Sequence, residues 1–145
     1  MLPYENASSG KNALEDIQRT LRQFGCSKFA TGEDFDKAEV FVQFEYRGRL
    51  IYMTVSIKAY AAKWLQQNPW TQRKKSTRTE WEARALEQAS VSIYSILRDA
   101  IKAQVMLVEL GIKSFEEVFL SDIVLPSGKS VMQYLRTETP LLPDH

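Results

Sequence analysis

The sequence holds one cysteine, Cys26, and one histidine, the terminal His145. A single cysteine excludes an internal disulfide and agrees with a reducing compartment; Cys26 reads as a small buried residue rather than a nucleophile. With the only histidine at the end of the chain, a Ser-His or Cys-His pair and a histidine-based metal site have nothing to be built from. No window approaches the roughly 18 consecutive apolar residues of a membrane-spanning helix. The stretch MLPYENASSG lacks the charged start and apolar run of a signal peptide. No membrane association is expected, and the cytoplasm of the host cell is the expected location. A phosphate-binding loop is missing as well. Pro126-Ser127-Gly128-Lys129-Ser130 contains a Gly-Lys-Ser but not the earlier glycine of GxxxxGK[ST], and it reads as a turn before a helix cap. No cofactor and no metal are expected.

The last absence is local. From Tyr46 to Thr79 there are 34 positions with eight basic residues and no acidic one. Of the 19 basic residues of the chain, 11 then remain elsewhere against all 18 acidic ones, a balance of −7 in a protein whose net charge is +1. The molecule is electrically two-sided.

The length of 145 residues and the 44% apolar and 26% charged composition suit one globular domain. Residues 1–10 are expected as a flexible tail, 11–137 as a single α+β domain and 138–145 as a second tail. Leu14, Ile17, Leu21 and Phe24 recur on one helical face, with Gly25 placed to end the helix. A first strand is expected at Ser27 to Thr31, followed by the turn-rich GEDFDK. AEVFVQFEYRGRLIYMTVSI alternates apolar and polar residues on both sides of Arg47-Gly48, the pattern of an antiparallel hairpin with one face in the core. Together these make a small β-meander. Ala59 to Gln66 suits a short helix stopped by Asn68-Pro69. Leu86, Ala89, Ile93, Leu97, Ala100, Ile101 and Val108 then mark one long helix from near Thr79 to Leu110, roughly 48 Å at 1.5 Å per residue, ended by Gly111. Such a helix exceeds the usual width of a small domain, so one end is expected to project or to meet a second chain. Ser114 with Glu117, and Ser130 with Gln133, carry the spacing of capping boxes, and Leu125-Pro126-Ser127-Gly128 reads as a turn after a short strand.

This order of pieces resembles a family of small, mostly uncharacterised proteins carried by bacteriophages, prophages and other mobile elements. The resemblance covers about residues 12 to 135 and lies in LRQFGCSKFATG, in AEVFVQFEYRGRLIYMTV and above all in LRDAIKAQVMLVELGIKSFEEVFLSDIVLPSGKSV. It departs in the spacer AYAAKWLQQNPW. It implies a phage or mobile-element setting in a host cytoplasm, and no activity.

Asp34, Asp36, Glu39 and Glu45, with Lys58 or Arg49, could be imagined as a metal-dependent nuclease site, but their spacing matches no such motif, and turn and strand-face roles explain them. The protein is expected not to be an enzyme. The basic segment carries more. Closely spaced phosphates call for Lys and Arg, and unpaired bases call for flat rings. The expected contacts are Arg47, Arg49, Lys58, Lys63, Arg73, Lys74, Lys75 and Arg78 for phosphates, with Tyr52, Trp64 and Trp70 for stacking; Tyr46 and Tyr60 share the segment. The reading is a non-enzymatic accessory protein of DNA replication or recombination that binds DNA or RNA with low sequence specificity. A second reading is an inhibitor of a host defence protein, working through Glu33, Asp34, Asp36, Glu39 and Glu45 as a nucleic-acid mimic. A third is a homodimeric adaptor pairing through Leu86, Ile93, Leu97 and Ile101 of the long helix.

Overall fold

The computed structural model describes residues 2–138, and the element order is that of an α+β protein. Helix α1 (Lys11–Phe24) buries Ala13, Ile17 and Leu21 and ends at Gly25 in the left-handed conformation. A meander follows: β1 (Lys28–Asp34), β2 (Glu39–Tyr46) and β3 (Arg49–Ser56), antiparallel in the order β1-β2-β3. Then come α2 (Ile57–Gln67), α3 (Arg78–Glu109), α4 (Phe115–Phe119), a single 3-10 turn at Leu120–Asp122 and α5 (Val131–Glu138).

The hairpin register pairs Val40 with Val55, Val42 with Met53 and Phe44 with Ile51. Directly opposed residues share a face of a sheet, so these six lie on one side, and Val40, Val42, Phe44 and Ile51 are fully buried. The other side carries Phe41, Gln43, Tyr52 and Thr54. β1 is longer than the sequence suggests. Gly32, Glu33 and Asp34 continue its ladder opposite Phe41, Val40 and Glu39, leaving the turn to Phe35–Ala38. A Cβ at Gly32 would sit 2.8 Å from the Phe41 ring, so the close approach of that ring favours glycine at this point of the strand.

Helix α3 spans 32 residues and packs against α1, α2 and α4. Ala85, Ala89, Ile93, Leu97, Ile101 and Val105, each four residues after the last, form its buried seam. Its ends are set locally. Thr77 and Glu80 form a reciprocal capping box, and at the far end Ile112 N–H donates to Leu107 C=O and Gly111 N–H to Val108 C=O, both at 3.0 Å, with Gly111 at φ 70°. This double bond pattern closes a helix on a left-handed residue. Ser114 with Glu117 and Ser130 with Gln133 close the expected caps of α4 and α5. Ile123 and Val124 bridge to the β3 edge and to Ser130, with Leu125–Lys129 as the turn between.

Two expectations need correcting. The long helix does not offer Ile93, Leu97 and Ile101 to a second chain: they are 3%, 2% and 0% exposed, consumed by the intramolecular core, and only Leu86 is exposed. The first nine residues, expected as a loose tail, are held across the α2–α3 seam from Leu2 onward. Tyr60 Oη donates to Pro3 C=O at 2.8 Å, Ser92 Oγ to Tyr4 C=O at 2.7 Å, and Gln88 Nε2 to Ala7 C=O at 3.0 Å, while Tyr4 Oη bonds Asp99 and accepts from Arg98. The fully buried Ser92 hydroxyl is thereby satisfied. Residues 139–145 of the expected C-terminal tail lie outside the described residues.

Because Ala89 is fully enclosed in the α3 seam, Ala89→Leu is expected to lower stability by about 1–3 kcal/mol through overpacking. The midpoint of urea unfolding reads this directly, and a midpoint equal to the parent protein's would contradict a close-packed seam.

Candidate nucleic-acid interface

The basic segment is built on the α2–α3 hairpin. Ser56 caps α2, accepting from Ala59 N–H at 3.1 Å, and Asn68 ends it by donating its side-chain amide to Trp64 C=O at 3.1 Å. Residues 69–76 fold back on themselves, because Trp70 Nε1 donates to Ser76 C=O at 2.9 Å and Trp81 Nε1 to Asn68 C=O at 2.7 Å. The two indole bonds turn a polar loop into a defined corner.

On that corner Arg73, Lys74, Lys75 and Arg78 are exposed. Lys74 Nζ lies 4.6 Å from the centroid of the Trp81 ring and the Arg84 guanidinium 5.3 Å from the same ring. Cations over an indole face are held by its quadrupole while their polar heads stay in water. The nearby acids are engaged: Glu80 in the cap of α3, and Glu82 with Arg78 at 3.4 Å. Arg84 lies beyond the acid-free run and is not among the expected contacts; its position three residues after Trp81, on the same helical face, is the sequence signal for it.

The other expected contacts are elsewhere. Arg47 sits at φ 49° in the β2–β3 turn with its guanidinium 5.1 Å from the Tyr46 ring. Arg49 pairs with Glu116 at 3.0 Å. The Tyr46 ring is itself held between Phe24 and Phe115, at 4.5 and 4.6 Å. Tyr46, Arg49 and Glu116 share a small hollow with Val108 at the C-terminal end of α3. Val108 is 30 residues from Arg78 on one helix, so about 45 Å separates these arginines from the cationic corner. Tyr52 lies on the open face of the sheet, stacked on Phe41 at 5.5 Å. Lys58 and Lys63 are exposed but five positions apart on α2, roughly 140° around the helix.

The stacking assignments also change. Trp64 is 6% exposed and packs against Trp81 at 5.1 Å between centroids; it is a core residue with no face left for a base. Trp70 is half-buried and its N–H is spent within the loop. Tyr52 keeps 38% of its surface exposed. Of the eleven expected residues, the fold brings Arg73, Lys74, Lys75 and Arg78 together beside Trp70, adds Arg84, and sets Arg47, Arg49 and Tyr52 apart.

The carboxylates do not converge either. Glu39 and Glu45 lie six positions apart on β2, about 20 Å, and Glu45 pairs with Lys28 at 3.5 Å. Among the described residues no three His, Cys, Asp or Glu side chains are grouped to hold a metal ion. Asp34, Asp36 and Glu39 instead surround the β1–β2 turn, where Asp34 accepts from Lys37 N–H at 3.1 Å and Phe35 stands 86% exposed. Asp16, on α1, is held below the usual carboxylate range chiefly by its hydrogen bond from Lys102, a bond that ties α1 to α3. Comparison with models of known families, with curated proteins and with solved structures finds no match.

Two outcomes are expected. Trp64→Ala is expected to cost about 3–5 kcal/mol in denaturant unfolding, as loss of a large core side chain does; a change under 1 kcal/mol would return Trp64 to the surface. Half-burial raises the Cys26 thiol from 9.0 to about 11, so its thiolate fraction at pH 8 is about a hundredfold below that of an unperturbed cysteine. Iodoacetamide is expected to label it correspondingly slowly in the native protein and readily in urea, which mass spectrometry counts.

Proposed function

We propose that this is a non-enzymatic accessory protein of a phage or other mobile element, working in the host cytoplasm, that binds the backbone of DNA or RNA with little regard to sequence. The observation that carries the reading is the cationic corner of the α2–α3 hairpin, where Lys74 and Arg84 lie over the Trp81 ring and Arg73, Lys75 and Arg78 are exposed on or next to the same loop, which two indole hydrogen bonds fix. A cluster of cations held in place neutralises several phosphates at once and releases their counterions, which is the main source of sequence-independent affinity. Pre-organisation lowers the entropy lost on binding. The setting and the role in replication or recombination rest on the resemblance in residues 12 to 135.

A second reading, inhibition of a host protein, is favoured by one feature. Phe35, between Asp34 and Asp36 at the tip of a hairpin, is the most exposed of the large apolar side chains among the described residues. An exposed aromatic flanked by carboxylates suits an apolar pocket rimmed by cations.

Fluorescence anisotropy with labelled single- and double-stranded oligonucleotides at about 50 and 200 mM salt separates the two. Micromolar or tighter binding that weakens steeply with salt is expected. The triple change of Arg73, Lys74 and Lys75 to alanine is expected to flatten the single-strand salt dependence by about 2 in log K against log [salt], near 0.7 per lost phosphate contact, and Arg84→Ala by a further ~0.7 on the same scale. Binding left intact by the triple change would sink the corner as the binding surface; no binding at low salt would turn attention to the Phe35 tip.

A further inference from the structure

The open face of the sheet is not flat ground. Between it and α5 runs a trough of about 680 Å³, within the range of small-molecule sites. Its floor is Gln43, Tyr52 and Thr54; its walls include Asp122 at the end of the 3-10 turn and Gln133 and Arg136 on α5. Gln43 and Tyr52 are directly opposed across β2 and β3, and the Tyr52 ring lies against Phe41 with 22° between the planes. That contact sets the tilt of an aromatic surface that is still 38% exposed.

The polar groups around this ring are of complementary kinds. Asp122 is half-buried, and its carboxylate has neither a hydrogen-bond donor nor a cation among the described residues; burial alone raises its pKa. A half-buried carboxylate that no group of the fold engages keeps its acceptor oxygens for a ligand. Gln133 spends its carbonyl oxygen on the Ser130 N–H at 2.9 Å, which leaves its NH₂ as a donor. Arg136, one turn along α5, lines the same trough. The set is therefore a ring to stack on, an acceptor lacking a donor, amide groups of both kinds and a cation.

We propose that this trough binds a nucleobase that carries an amino group, with guanine the best match, stacked on Tyr52 and with the phosphate of its nucleotide toward Arg136. Guanine presents adjacent N1–H and N2–H donors that fit the two oxygens of one carboxylate, the bidentate geometry that makes charge-assisted pairs selective. Adenine and cytosine offer one amino group each; uracil offers none. A free nucleotide and an unstacked base of a single strand share this chemistry. The site is separate from the cationic corner and does not depend on it.

Isothermal titration calorimetry of the full chain with GMP, IMP, UMP and ribose 5-phosphate tests the proposal. IMP differs from GMP only by lacking the 2-amino group. GMP is expected to bind with a submillimolar Kd, IMP and UMP about tenfold more weakly, and ribose 5-phosphate without measurable heat. Tyr52→Leu is expected to weaken GMP about tenfold by removing the stacking surface, and Asp122→Asn to bring GMP and IMP to similar affinity, with circular dichroism checking that both variants fold. A thymidine heptamer with one central guanine, compared with the all-thymidine heptamer, distinguishes the sources: guanine-dependent binding tighter than that of GMP marks a base within a strand, and weaker binding marks the free nucleotide. No heat with GMP and no guanine dependence in the heptamer would overturn the site. So would equal binding of GMP, IMP and ribose 5-phosphate, or GMP binding unchanged in both variants. Salt-dependent oligonucleotide binding that survives these failures would leave the cationic corner standing on its own.

Discussion

The apolar seam of α3 is the constraint on which the other elements depend. Ala85, Ala89, Ile93, Leu97, Ile101 and Val105 belong to one continuous core with Ile17 and Leu21 of α1, the buried face of the sheet and Trp64 of α2. The apolar face of the three-stranded sheet is covered by joining this core. Ala85 and Ala89 are fully enclosed in this core, where a larger side chain would have to displace its neighbours. At the other end, Phe115 and Phe119 continue the core, with Phe119 set edge-on against Phe44. The N-terminal segment completes the arrangement by supplying carbonyl acceptors to Ser92 and Tyr60.

The same helix acts as a ruler for function. A helix of 32 residues holds its ends nearly 50 Å apart, so basic residues of one acid-free stretch lie beside its two different ends. Arg47 in the β2–β3 turn and Arg49 at the start of β3 lie beside the C-terminal end of α3, where Glu116 pairs with Arg49. The cluster from Arg73 to Arg84 belongs to the N-terminal end. Of the two tryptophans that the sequence offers as stacking surfaces, Trp70 bonds within the loop that displays the cations and Trp64 packs in the core against Trp81. One aromatic ring on the open sheet, Tyr52, keeps the exposure that stacking requires.

Much of this fold is written in local patterns. The period-two alternation of β2 and β3 with Arg47-Gly48 between them fixes the hairpin and its register, because a one-residue slip would turn the buried face to solvent. The 3.6-residue periodicity of α3, the Thr77–Glu80 and Ser114–Glu117 boxes and the glycine after Leu110 fix helix ends through bonds that span only a few residues. The strand β1 is longer than its sequence suggests because Gly32, Glu33 and Asp34 are poor strand formers held by the ladder with β2, a tertiary effect that overrides propensity.

What the sequence by itself determined is the α+β class, the order of elements, the hairpin register, the helix caps and the existence of a basic, aromatic stretch without acids. What only the tertiary structure decided is which of those residues share a surface. Burial of Trp64, Ile93, Leu97 and Ile101, the separation of Arg47 and Arg49 from the loop, the addition of Arg84 and the trough around Tyr52 all depend on contacts between elements distant in sequence. Periodicity reports which side of an element is apolar; it carries no information on which neighbour will cover that side, and that choice is made by the packing of the whole chain.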